Sequence, residues 1–74
     1  MEKLFDVLNI VRPDLDFRSE EKLIDDGILD SFDIVIIRSE IKDAFGVEIG
    51  VADLVPENLN SAEAMWNLIT RLKK

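Results

Sequence analysis

The chain has 74 residues, enough for one small hydrophobic core but not for two, so a single domain over residues 1–74 is the expectation. Sixteen Asp and Glu against nine Lys and Arg give a net charge of −7, which argues against nucleic acid, a polyanion bound through clustered cations, and favours basic protein partners. With no Cys and no His, the chain has no disulfide framework, no thiolate or imidazole metal site and no self-contained pair of nucleophile and base.

A 47% apolar composition argues against disorder, and the longest apolar run, Ile34-Val35-Ile36-Ile37, is far too short for a bilayer. The N-terminal Met1-Glu2-Lys3-Leu4-Phe5-Asp6 alternates charged and apolar residues and shows no secretory pattern, so a cytoplasmic location and no membrane insertion are expected.

In chain order, Leu4, Phe5, Val7, Leu8 and Val11 fit a helical stripe from Glu2 to Val11, which Pro13 closes by disfavouring helical geometry at Arg12. Residues 14–30 have no sustained period and carry seven acids. Leu15, Phe17, Leu23, Ile24, Ile28 and Leu29 are nevertheless scattered through them, which predicts a long ordered loop packed over the core. Asp25-Asp26-Gly27 is a turn signal in which Gly27 can take positive φ. It is not an EF-hand, because with Gly27 at the sixth loop position the first and third ligand positions fall on Lys22 and Ile24.

A second helix is predicted over Ser31–Phe45, ended by Gly46. At about 100° per residue, Ile34, Ile37, Ile41, Ala44 and Phe45 face the core, whereas Phe32, Val35, Ile36 and Ser39 face outward where charges would be ordinary. Residues 47–49 read as a short extended connector, and residues 51–55 as a turn or two of a third helix ending before Pro56. Asn60-Ser61-Ala62-Glu63 reads as a capping box with Asn60 at the N-cap. It opens a fourth helix on which Met65, Leu68, Ile69 and Leu72 recur at helical spacing. Met65 and Trp66 read as packing residues, and the basic Arg71, Lys73 and Lys74 as a solvated helix end suited to the negative pole of the dipole. The fold class is therefore all-α.

The candidate chemistry sits in Asp30-Ser31-Phe32-Asp33, which places a serine hydroxyl where a loop becomes an apolar helix. Taken with Asp26-Gly27-Ile28-Leu29 upstream, Phe45-Gly46-Val47-Glu48-Ile49 downstream and the capped final helix, the chain resembles the acyl carrier protein family over essentially its whole length. The Leu29-Asp30-Ser31-Phe32 and Phe45-Gly46-Val47-Glu48-Ile49 stretches also resemble the D-alanyl carriers of teichoic-acid modification.

The resemblance implies a small four-helix bundle of acyl-carrier type, with a long ordered loop between helices one and two and a short third helix. It implies that Ser31 carries covalent 4′-phosphopantetheine donated by coenzyme A, with Asp30 beside it. The protein would be a monomeric substrate and shuttle rather than an enzyme, holding an acyl or aminoacyl group as a thioester on the arm. Its partners would be a phosphopantetheinyl transferase, an acyl- or aminoacyl-loading ligase, and acyl-processing or transfer enzymes. Physical chemistry supports the site, because a phosphodiester at Ser31 lies near the positive end of a helix dipole. Asp30 and Asp33 oppose that by repulsion, so their use is expected in capping and in engaging a basic modifying enzyme.

Phe32, Asp33, Val35, Ile36 and Ser39 form the expected partner-binding face. Ile36, Ser39 and Lys42 depart from typical fatty-acid carriers, which place acids on the outer face of this helix. Fatty acyl, polyketide and aminoacyl cargo all remain open. The competing reading from another class is an unmodified helical adaptor that binds proteins through Val35 and Ile36.

Overall fold

The boundaries of the helices follow from short-range chemistry. A computed structural model describes residues 2–73, so Met1, and Lys74 of the expected basic helix end, lie outside the described residues. Helix α1 runs Glu2–Val11 and α2 runs Ser31–Phe45. Gly46 ends α2 in the left-handed region at φ 69°, its N–H donating to the Lys42 carbonyl. A 3-10 turn, Val51–Asp53, leads to the short α3, Pro56–Leu59, and then to α4, Ala62–Leu72. Among the described residues there is no strand, and no helix is long and apolar enough to cross a membrane.

Helix α1 packs on α2 and on α4, and α3 packs on α4, giving a globule of 30 × 23 × 19 Å. The core takes Leu4 and Leu8 from α1, Ile37 and Ile41 from α2, and Met65, Leu68 and Ile69 from α4. Val47 and Ile49 are buried on either side of exposed Glu48, the alternation of an extended segment. Trp66 is half-buried and meets Phe45 edge to face, with ring centroids 5.9 Å apart.

Residues 14–30 hold no regular helix but are tied down by side chains. Phe17, Leu23 and Leu29 are buried, each contributing about 2 kcal/mol by removing apolar surface from water. Turn bonds order the segment further, with Leu29 N–H donating to the Leu23 carbonyl at 2.9 Å and Gly27 taking φ 69°. At the surface, the Arg18 guanidinium lies 4.1 Å from the Phe5 ring centroid and donates to both oxygens of Glu2.

Two boundaries differ from the sequence reading. Pro56 opens α3 instead of stopping a helix, because its missing N–H falls where the first helical turn has no acceptor to offer. Asn60 is not the N-cap of α4. Ser61 takes that place, its hydroxyl accepting from Ala64 N–H at 3.1 Å. The Asn60 side-chain oxygen accepts instead from the N–H groups of Ile24 and Asp25, both at 3.0 Å, while its amide donates to Asp25 at 3.1 Å and its backbone carbonyl accepts from Leu23 N–H. One residue thus staples the loop to the α3–α4 junction.

Asn60→Ala would leave the half-buried Ile24 N–H without a partner, and a lost acceptor of this kind costs about 1–3 kcal/mol. Urea unfolding should register a loss in that range. An unchanged midpoint would show the staple to be idle.

Hydrogen bonds hold three exposed carboxyls below their ordinary range: Arg18 at Glu2, Arg12 at Asp14, and the Ser19 hydroxyl at Asp16. Because the folded values lie below the unfolded ones, this stabilisation is complete above about pH 5 and is lost as pH falls further. Exposure keeps each contribution small. Together they should lower the urea midpoint between about pH 5 and pH 3, and a flat profile there would contradict the contacts.

Candidate functional site

The start of α2 is organised by two aspartates, and each has a separate task. Asp30 is the N-cap: its carboxylate accepts from Asp33 N–H at 2.9 Å, and Asp33 Oδ2 accepts in return from Asp30 N–H at 3.4 Å, a reciprocal capping box. Ser31 is the first helical residue. It is exposed, and because Asp30 does the capping its hydroxyl stands outside that network.

Asp33 departs from the outward, enzyme-facing position expected for it. It is buried, one turn before Ile37 and two before Ile41 on the core-facing line of α2. A carboxylate there needs a cation, and Arg12, just beyond α1, supplies one at 2.7 Å from Nη1 to Oδ2. The same guanidinium donates to both oxygens of Asp14, at 3.1 and 3.0 Å, and Nη1 lies 3.4 Å from the Ile28 carbonyl oxygen. Hydrogen bonds that Arg12 donates to Asp14 and Asp33 hold its pKa above the ordinary value, so it stays charged throughout. Arg12 thereby ties the end of α1, the loop and the start of α2 into one unit behind Ser31.

The outer face of α2 is apolar near that serine. Phe32 is 71% and Val35 60% exposed, Ser39 is exposed, and Ile36 is half-buried. The inward side is also less uniform than the helical wheel predicts, because Ile34, Ala44 and Phe45 are half-buried where Ile37 and Ile41 are fully covered. The core line is centred on Asp33, Ile37 and Ile41, so α2 is rotated about its axis relative to the expected orientation.

Behind α2 lies an apolar cavity of about 10 Å³, lined among others by Leu29, Ile37, Arg38, Ile49 and Met65, with room for no more than about one water. On the outer side a groove of about 260 Å³ runs past Val35, Arg38, Ser39, Lys42, Glu48 and Ile49.

Arg12 and Arg38 are the site residues that sequence reasoning missed. An acid on the buried stripe of α2 was the available signal for a hidden cation, although the choice of Arg12, twenty-one positions away, has no local signature. Comparison of the chain with protein-family models, with curated proteins and with solved structures finds no match. The site is therefore read from its own geometry.

Arg12→Ala strands the buried Asp33 carboxylate and should cost about 2 kcal/mol, whereas Asp33→Ala leaves Arg12 paired with Asp14 and should cost less. The double variant should lose less than the sum of the two, as a urea double-mutant cycle would measure. Strict additivity would mean that the pair is not coupled.

Proposed function

We propose that this chain is a carrier domain of acyl-carrier type, a small four-helix bundle whose Ser31 is the attachment point of 4′-phosphopantetheine. The single observation that carries this is an exposed hydroxyl on the first helical residue of α2, released from capping by Asp30 and held on a rigid base by the Asp33–Arg12 pair. Length, acidity and the motifs around residues 26–33 and 45–49 support the same reading.

The residues present fit the group. Exposure lets a transferase reach Ser31 Oγ, and the unpaired N–H groups of the first turn favour a phosphodiester beside them. Asp30 is exposed next to the hydroxyl, where its charge works against the phosphate and suits a basic enzyme surface. In the loading step Ser31 Oγ attacks the phosphate of coenzyme A that bears the pantetheine. A new P–O bond forms, the P–O bond to the departing adenosine bisphosphate breaks, and the serine proton passes to a base of the transferase. The thiol of the attached group supplies thioester chemistry. The domain itself binds, positions and delivers, raising the effective concentration of cargo at each partner's active site.

The exposed Phe32 and Val35 favour a second reading, an unmodified adaptor that uses this face alone. Intact mass after incubation with coenzyme A, Mg²⁺ and a broad-specificity phosphopantetheinyl transferase separates the two. The parent should gain one phosphopantetheine and Ser31→Ala none. A parent that stays at its original mass would leave the adaptor standing.

A further inference from the structure

Two acids flank Ser31, and the fold gives them opposite surroundings. Asp30 is exposed beside the hydroxyl, whereas Asp33 is 8% exposed and turned to Arg12. Asp33 Oδ2 accepts both from Arg12 Nη1 at 2.7 Å and from Asp30 N–H at 3.4 Å. One shared oxygen thus links the guanidinium to the backbone of the residue before Ser31. Nη1 also lies 3.4 Å from the Ile28 carbonyl oxygen. Between those two points Leu29 is buried, and its N–H donates to the Leu23 carbonyl at 2.9 Å. The chain is therefore held at residues 28, 29 and 30 as it enters α2, and Asp30 keeps the extended backbone, φ −100° and ψ −178°, from which Ser31 starts the helix. Asp14 grips the far edge of the guanidinium through two bonds, which aims Nη1 at Asp33.

Arg12 opposes fraying of the first turn. An ionised carboxylate on the buried line of α2 regains water most readily if the helix start unwinds, because terminal turns open more easily than the core. Ser31 lies two residues before that carboxylate, on the same turn, and would move with it.

We infer that Arg12 is a positioning residue for the loading of Ser31: by keeping Asp33 inward it fixes where the hydroxyl stands, and it leaves Asp30 as the acid of the pair that meets the transferase. The inference rests on the carrier reading and concerns the reaction at that same site. Attack by Oγ on phosphorus needs a narrow range of distance and angle, and small misplacements lower the rate steeply. Arg12 acts on that geometry, and Asp30 acts on encounter with a basic enzyme. The two contributions separate in kinetics, the first in the maximal rate and the second in binding.

Single-turnover loading of the full-length chain, with a broad-specificity phosphopantetheinyl transferase in excess and coenzyme A saturating, reads both quantities by intact mass. Arg12→Ala should lower the maximal rate about tenfold at a nearly unchanged half-saturating transferase concentration. Arg12→Lys and Asp33→Asn, which keep most of the side-chain volume, should fall between this and the parent. Asp30→Asn retains a capping side chain, so it should raise the half-saturating concentration and flatten its salt dependence while the maximal rate holds. Ile69→Val, a core truncation on α4, controls for lost stability and should change neither quantity. Amide hydrogen exchange supplies a second readout. Arg12→Ala should speed exchange at the Asp33 and Ile34 N–H groups, which donate to Asp30, far more than at Leu68 and Ile69. If Arg12→Ala does not fold, Arg12→Lys and Asp33→Asn still decide the matter. A parent-like maximal rate in the Arg12 and Asp33 variants would overturn the inference, as would an equal fall in Ile69→Val. So would a rise in half-saturation on Asp33→Asn equal to that of Asp30→Asn, since Asp33 would then face the enzyme. A parent protein that gains no mass would overturn the carrier reading itself, a failure visible before any variant is compared.

Discussion

The constraint on which the molecule turns is a carboxylate placed on the buried line of a helix. Asp33 lies in register with Ile37 and Ile41, and an ionised acid among them is tolerated only with a cation and hydrogen-bond donors at hand. Arg12 provides the cation at 2.7 Å, and the capping box provides a backbone donor. The same guanidinium also holds Asp14 and approaches the Ile28 carbonyl, so one side chain joins α1, the loop and α2.

That arrangement explains why the start of α2 can be both rigid and chemically open. Asp30 satisfies the Asp33 N–H, and Asp33 is occupied by Arg12, so neither draws on Ser31. The loop that delivers Ser31 is fastened at its middle by Asn60 and by the buried Leu23 and Leu29. In the proposed carrier, a mobile arm on an immobile base is what lets a small domain present cargo in a repeatable direction.

The face beside Ser31 has a different character from the acidic remainder of the surface. Phe32 and Val35 are exposed together, and Arg38 and Lys42 extend the same helix outward. Exposed apolar side chains at a helix start are costly to leave in water unless something covers them, and a partner protein is the natural cover in the proposed function.

Much of this was legible from residues close together in the chain. Pro13, Gly46 and the apolar spacing determine where α1 and α2 begin and end, and Asp30-Ser31 sets a hydroxyl at a helix start, because caps and turns depend on neighbours within a few positions. The predicted packing of Phe17, Leu23 and Leu29 was readable for the same reason, as apolar residues too frequent for a free linker. Tertiary structure alone decided that Asp33 turns inward to Arg12, that Asn60 staples a loop thirty-five residues away instead of capping α4, and that Arg38 walls the outer groove. The first and last of those depend on how α2 is rotated against its neighbours, and the Asn60 staple on how the loop meets the α3–α4 junction. That rotation minimises the exposure of the whole core at once, and no local pattern encodes it.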